Sequence, residues 1–293
     1  MTYEQLVVLD AVVTQGGFRN AAEHLYKSQS AISIAIKKLE DESGIQLFNR
    51  DNYRPNLTQD GEVFYRQALK VLRGMQQLQA TAQQLKGEQE AEVRISITAT
   101  CPIKNVLEVI GDTNQQYPDT KIKLKTEMMG GAVERLLDGQ ADIIIASNDG
   151  VPFEQVDSFP FTTTVITPVA HREYELASMG SNVSSEQMEN FVQVVVTGTS
   201  SEKYEQSRDI IQASQQWTVS DFATKREIIL AQMGWGGLPK HLVQEDLDRG
   251  DLVELNLINY PPRKTQLYVI RKKDAGLGIV SQDIFEKLKL MTA

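Results

Sequence analysis

The chain is 293 residues long, with one cysteine, three histidines and two tryptophans. No apolar run approaches the ~18–20 residues of a membrane-spanning helix. The longest are short pieces such as Ile143–Ala146 and Val194–Val196. A single cysteine, Cys101, excludes an intramolecular disulfide and fits a reducing compartment. The first residues, Met1 to Gln5, lack the basic start of a signal peptide, and Glu4 and Asp10 fall where its apolar stretch would lie, so a cytoplasmic location is expected. The net charge of −9 excludes a protein that is basic throughout. At 41% hydrophobic and 24% charged residues, the composition excludes disordered and collagen-like chains and is that of an ordinary globular protein with two domains or more.

The residue types of most active sites are also missing or scattered. His24, His171 and His241 have no metal-ligand spacing. Gly234-Trp235-Gly236-Gly237 is not followed by the Gly-Lys-Ser/Thr of a phosphate loop, and there is no Gly-x-Ser-x-Gly elbow. With no combination of acid, base and nucleophile, neither an enzyme nor a cofactor is expected.

What is present begins with short helices. Leu6, Leu9, Val12 and Val13 form a helical stripe over Tyr3–Thr14 that stops at Gly16-Gly17. A second helix is predicted over Asn20–Tyr26. A third runs from the cap Ser28 to about Glu42, burying Ile32, Ile36 and Leu39, with Gly44 as its terminator. Two short helices joined by a tight turn suggest a helix-turn-helix, and the stretch from Ile45 to Thr58 reads as a two-stranded wing. From Gln59 to Lys86, Phe64, Ala68, Val71, Met75, Leu78, Ala82 and Leu85 recur at alternating steps of four and three. That seam belongs to a helix of roughly 40 Å. Its narrowness predicts pairing with a second chain, the alternative being packing on its own domain.

Beyond Gly87 strands of four to eight residues alternate with helices. Strands are predicted at 93–98, 120–127, 141–146, 165–171, 192–197, 217–221 and 266–271, and helices at 102–116, 132–138, 201–214, 225–232 and 281–290. This α/β pattern predicts a parallel sheet. Its strand count suggests two subdomains with a cleft between them.

The sequence resembles the LysR-type transcriptional regulators over its whole length. The strongest match is Ala21-Ala22-Glu23-His24-Leu25-Tyr26-Lys27-Ser28-Gln29-Ser30-Ala31-Ile32-Ser33. It is followed by Ile36-Lys37-Lys38-Leu39-Glu40, Gly44-Ile45-Gln46-Leu47-Phe48-Asn49-Arg50 and Leu57-Thr58-Gln59-Asp60-Gly61. A weaker match is Gln232-Met233-Gly234-Trp235-Gly236-Gly237-Leu238-Pro239. Arg19 and Ile34 depart from the pattern: the family usually has Ser or Thr at the first position and a polar or basic residue at the second. The resemblance implies a winged helix-turn-helix over residues 1–58, a dimerising linker helix over 59–87 and a periplasmic-binding-protein-like effector domain over 88–293. Within the last, subdomain I would cover about 91–162 and 267–293, and subdomain II about 163–266. The family implies a homodimer or homotetramer on double-stranded promoter DNA, its geometry switched by a small-molecule effector. The competing class is a ligand-binding receptor or enzyme domain with an N-terminal assembly module.

A recognition helix reads base edges from its first turns. Gln29 can pair bidentately with adenine, Ser30 and Ser33 permit close approach, and Ile34 could meet a thymine methyl. Lys37 can reach a base or phosphate, and Arg50, Arg54 and Thr58 belong to the wing and its exit. Residues 1–58 contain six Lys/Arg and seven Asp/Glu. Affinity must then come from a local patch doubled by dimerisation. For the effector, the match to the family implies Thr100, Cys101, Met129, Gly130 and Gly131 on one wall and Thr197, Gly198, Thr199 and Ser200 on the other, with Ser147 and Phe222 as weaker candidates. Small hydroxyls and helix N-termini suit a carboxylate or another anion. Cys101, placed before Pro102 as a first helical residue, could have a depressed pKa, although a small buried residue is the simpler expectation.

Overall fold

The computed structural model describes residues 1–49, 55–85, 89–179, 183, 185–200, 210, 215–257, 260–273 and 278–291. The chain divides into two compact units, Met1–Gln79 and Ala80–Ala293.

The first unit contains α1 (Tyr3–Thr14), α2 (Phe18–His24), α3 (Gln29–Ser43) and most of α4 (Gln59–Leu85). Thr2 and Gln5 form a capping box at the start of α1. The second helix starts two residues earlier than the sequence suggests, capped by Gly17 without a side-chain bond, and Arg19 lies inside it, paired with Glu23 at 3.3 Å. It ends at His24 because Tyr26 takes a left-handed φ of 53° in the turn. The hydroxyl of Ser28 accepts from the N–H of Ala31 at 3.2 Å, and Gly44, at φ 69°, ends α3. Ile32, Ile36 and Leu39 join Leu9, Val12 and Ala21 in one core.

The wing's base is fastened from α3 and α4. Phe48 bridges Leu57 in antiparallel fashion, and one carboxylate oxygen of Glu40 accepts from the N–H groups of Leu47 (2.7 Å) and Phe48 (3.3 Å). The Thr58 hydroxyl accepts from Gly61 N–H at 2.9 Å and donates to the Gln46 carbonyl at 2.6 Å. A Cβ on Gly61 would fall 2.3 Å from the Leu47 carbonyl oxygen, so α4 can approach this strand only through a residue without a side chain.

The second unit follows the order β1 (Glu92–Thr98), α5 (Lys104–Gln116), β2 (Lys121–Glu127), α6 (Gly131–Leu137), β3 (Ile143–Ala146) and β4 (Val156–His171). Next come α7 (Glu175–Ser178), α8 (Ser185–Met188), β5 (Gln193–Val196), β6 (Gln216–Val219), α9 (Phe222–Leu230) and β7 (Trp235–Pro239). The chain closes with α10 (Lys240–Arg249), β8 (Leu252–Glu254), β9 (Arg263–Lys272) and α11 (Ile279–Leu290). The expected helix at 201–214 lies outside the described residues apart from Ile210.

The strands are hydrogen-bonded in the order β2-β1-β3-β9-β4-β7-β5-β6, with β8 beside β4. The all-parallel expectation is corrected here: β1 pairs in parallel with β2 and β3, and β5 with β6 and β7, whereas β4 and β9 run antiparallel to their neighbours. β4 begins at Val156, nine residues before its predicted start at Val165, because its first half pairs with β9 along a side-chain pattern too mixed to read alone. The helix α10 and the strand β8 were not anticipated. Separate apolar clusters support the two ends of the sheet. One set holds Val93, Ile95, Ile143, Leu267 and Phe285 with Val133 and Ile144 on the opposite face; the other holds Trp235, Leu176 and Tyr260 with Val194, Ile229 and Val243 opposite. These are the cores of two lobes, which share the long strands β4 and β9. No helix among the described residues is long and apolar enough to cross a membrane.

Candidate functional sites

The first candidate is the outer face of α3. Burial of Ile32, Ile36 and Leu39 turns the intervening positions outward, so Gln29, Ser30, Ser33, Ile34 and Lys37 are all exposed. Ile34 is 67% exposed, a β-branched side chain presented to solvent beside two serines. The hydroxyls of Ser28 and Ser30 lie 3.0 Å apart at the helix start. Thr58 belongs to a different class, because the cap of α4 and the Gln46 carbonyl occupy its hydroxyl. Arg50 and Arg54 lie outside the described residues. Glu40, which positions the strand before the wing, was quoted in the motif but given no role from sequence. A carboxylate that accepts from two backbone N–H groups seven and eight residues away leaves no periodic trace.

The seam on α4 divides into two parts. Phe64 and Ala68, together with the unanticipated Leu72, pack on the first unit's own core. Val71, Met75, Leu78 and Ala82 are exposed, Leu78 by 63%. The side chain of Leu85 lies outside the described residues.

The second candidate is a cavity of about 470 Å³ between the two lobes of the second unit. Five of the eleven expected effector residues line it: Thr100, Met129, Gly130, Ser147 and Phe222. They come from the loops after β1, β2 and β3 and from the first turn of α9, at the carboxyl ends of parallel strands. The other six do not line it. Gly131 stands next to the lining, inside α6. Thr197 is tied to Val219, donating to its carbonyl from both N–H (2.8 Å) and hydroxyl (3.2 Å), and Gly198 is exposed. Thr199 instead fastens the lobes together. Its hydroxyl accepts from Met128 N–H at 3.0 Å and lies 2.7 Å from a carboxylate oxygen of Glu127, which is also paired with Arg135. The hydroxyl of Ser200 is buried and has no partner among the described residues.

Cys101 faces the hydrophobic core with Val106 and Val109, and α5 starts only at Lys104, so the small buried residue of the simpler expectation is what forms, not a helix-terminal thiol. Burial pushes its pKa up to about 12, the reverse of activation. Such a thiol is ionised in on the order of one molecule in 30,000 at pH 7.5. Iodoacetamide labelling of the folded protein at that pH should therefore be at least ~100-fold slower than labelling in guanidinium chloride. A folded-state rate like that of a free thiol would show that the side chain is accessible and ionised.

The floor of the cavity comes from residues that sequence reasoning did not select. Thr164 and Ile166 on β4 lie opposite Thr265 and Arg263 on β9, and all four line the cavity. The two-residue period of a strand puts each pair on the same face. Lys225 stands one turn from Phe222 on α9, also lining the cavity. The period-two spacing on each strand is visible in the sequence; the pairing of segments about 100 residues apart is not.

Two family models match the chain: the bacterial regulatory helix-turn-helix protein of the lysR family over residues 3–62, and the LysR substrate binding domain over residues 86–289. The sequence is 28% identical over 258 residues to an uncharacterized HTH-type transcriptional regulator, YeeY, of Escherichia coli, covering 86% of this chain and 82% of that protein. Among solved structures, full-length CbnR complexed with its target DNA superimposes with a TM-score of 0.60 at 17% identity, over 99% of each chain. Full-length LysG from Corynebacterium glutamicum with bound effector Arg gives 0.52 at 20% identity, over 98% of this chain and 96% of that one.

Proposed function

This chain belongs to the LysR family of transcriptional regulators, and from that premise we propose that α3 reads the major groove of promoter DNA while the inter-lobe cavity binds the effector. The observation that carries the reading is the outer face of α3. Five short or extended polar and apolar side chains stand free of the core on the helix that follows the turn. Gln29, Ser30, Ser33 and Ile34 approach base edges, Lys37 reaches a base or phosphate, and Arg50 and Arg54 meet phosphates or the minor groove. Thr58 supports the wing by capping α4 and holding the Gln46 carbonyl, which sets the wing's base where its exit meets phosphate.

Two copies associate through the exposed part of α4, from Val71 to Ala82, with Leu85 continuing the seam. The apolar spacing there has no partner in its own domain's core, which supports a second helix against it. We place the functional boundaries at residues 1–58, 59–87 and 88–293. The subdomain limits at 162/163 and 266/267 fall close to the register shift between Pro160 and Thr162, where β4 and β9 pass from one lobe to the other. Dimers pair into tetramers on DNA. A ligand that prefers one closure of the lobes shifts the balance of assembly geometries, and so the spacing of half-sites. Because a regulator acts where its DNA lies, we place the protein in the cytoplasm.

The experiment is a retardation assay of the full-length protein on duplexes from its own upstream region, at two salt concentrations. Phosphate contacts release counterions, so for about six such contacts affinity should fall by about 10³-fold between 50 and 200 mM salt. Affinity indifferent to salt, or no retention of any upstream duplex, would remove the DNA-reading role.

A further inference from the structure

The ends of β2 and β5 belong to different lobes. Between them in the hydrogen-bonded order of the sheet stand β1, β3, β9, β4 and β7. The residues that follow the two strands nevertheless meet across the cleft. Thr199, shortly after β5, accepts at its hydroxyl from the N–H of Met128 at 3.0 Å, and its own N–H donates to the Met128 carbonyl at 3.3 Å. The one proton of the hydroxyl goes to Glu127 Oε2 at 2.7 Å, because a carboxylate is a stronger acceptor than the Met128 carbonyl, 3.1 Å away.

Both lobes are shaped for this meeting. Glu127 is buried, and its other oxygen is paired with Arg135 of α6, which fixes the carboxylate. A Cβ on Gly131 would overlap Thr199 Oγ1 and fall 3.0 Å from Glu127 Oε2, so a bare position at the start of α6 is what admits the hydroxyl. Met129, the residue after Met128, has a φ of 30°, a left-handed value that a side chain keeps only where its surroundings hold it. Glu127 and Met128 also line the cavity, so the junction forms part of its wall. Thr199 itself is exposed. Water can therefore replace its hydrogen bonds when the lobes part, which makes the junction releasable at small net cost. The strands β4 and β9 run through both lobes, and their register shift between Pro160 and Thr162 marks the passage. A continuous strand pair in one place and a few hydrogen bonds in another are the parts of a hinge and its catch.

We propose that Thr199, Glu127 and Met128 form a catch that holds the two lobes closed without a ligand, and that its release changes the assembly on DNA. The effect on DNA rests on the regulator reading above; the catch itself rests on the second unit alone. A closure held by so few hydrogen bonds lies within reach of a ligand with modest preference for one arrangement of the lobes.

The test uses the full-length protein without ligand, spin-labelled through Leu290→Cys on α11 and Glu245→Cys on α10, one exposed position in each lobe. Cys101 is buried and stays unlabelled. Labelled chains are diluted with unlabelled ones, so that the measured distance lies within one chain. The otherwise wild-type protein should give one narrow distribution. Thr199→Val exchanges a hydroxyl for a methyl. It should broaden or displace that distribution and speed exchange of the Met128 amide at least ~10-fold. Thr199→Ser keeps the hydroxyl and should keep the wild-type distance and exchange. Gly131→Ala drives the hydroxyl out from the opposite lobe and gives an independent reading should Thr199→Val fail to fold. It should alter distance and exchange in the same direction. Wild-type distances and exchange in either folded variant, or Thr199→Ser behaving as Thr199→Val, would overturn the proposal. Hydroxyl-radical footprinting of the upstream duplex separates this from the regulator reading. A footprint altered in Thr199→Val supports release acting on DNA. Lobes that open with an unaltered footprint leave the catch standing and remove its effect on DNA. No footprint from wild type or variant removes the regulator reading, while the distances still decide the catch.

Discussion

Replacing Gln29 and Ser33 together by alanine is expected to abolish sequence-specific retention of promoter DNA while leaving the protein folded. Both side chains are exposed on the first turns of α3, so their removal takes nothing from the core formed by Ile32, Ile36 and Leu39. A bidentate side-chain contact to a base contributes about 1–3 kcal/mol of discrimination. In a symmetric dimer each replacement counts in both half-sites, so losing the Gln29 contact alone amounts to roughly 2–6 kcal/mol, or about 30-fold to 10⁴-fold. Loss of the Ser33 contact adds to it. Non-specific binding through phosphates should persist with its salt dependence, because neither residue is charged. The measurement is competition retardation, with specific and scrambled duplexes, supported by thermal unfolding. A double variant that still prefers its own site by the wild-type factor would take α3 out of the groove.

Asp246→Ala should destabilise the second lobe strongly. This carboxylate, on α10, is fully buried. It accepts from Arg226 Nε at 2.6 Å and Nη2 at 2.5 Å, a two-point fork, and from Arg249 Nη2 at 2.5 Å. Arg226 belongs to α9, so the fork fixes the two helices that flank β7. Removing one partner of a buried pair typically costs 3–5 kcal/mol. Arg226 is about a third exposed and can recover some hydration, so the expected loss is roughly 2–4 kcal/mol. Because α9 carries Phe222 and Lys225 to the cavity, ligand binding should weaken along with stability. DNA retention by the first unit should change less. Urea unfolding followed by tryptophan fluorescence provides the check, since Trp235 is buried in the same lobe; an unchanged midpoint would mean the fork adds little to the fold.

How much was legible beforehand differs between the two units for physical reasons. Helix limits in the first unit follow from local chemistry: Ser28 caps, Gly44 adopts the left-handed conformation, and the hydrophobic spacing selects which face is buried. The sequence places Phe64 and Ala68 in one uninterrupted seam, but the domain core takes both of them, and Leu72 as well. Periodicity reveals which face is apolar and not which partner covers it. The ligand cavity was half legible. Thr100, Met129, Gly130, Ser147 and Phe222, which the resemblance implies, line it, in keeping with the rule that sites form in loops at the carboxyl ends of strands. Lys225, Arg263, Thr164 and Thr265 line it without having been legible, because their meeting depends on pairing between β4 and β9 and on Gly236, whose missing side chain makes room for Lys225.

The chain's family, the limits of α3 and the exposed residues on its outer face were legible in the sequence, because each depends on contacts within a few turns of chain. The β4–β9 floor of the cavity, the Asp246 fork, the fastening of Thr199 to the Glu127 loop and the division of the seam between core and surface were decided only by tertiary structure. Each brings together groups from different elements. Close packing and the pairing of buried charges select those meetings from many that local spacing would equally permit.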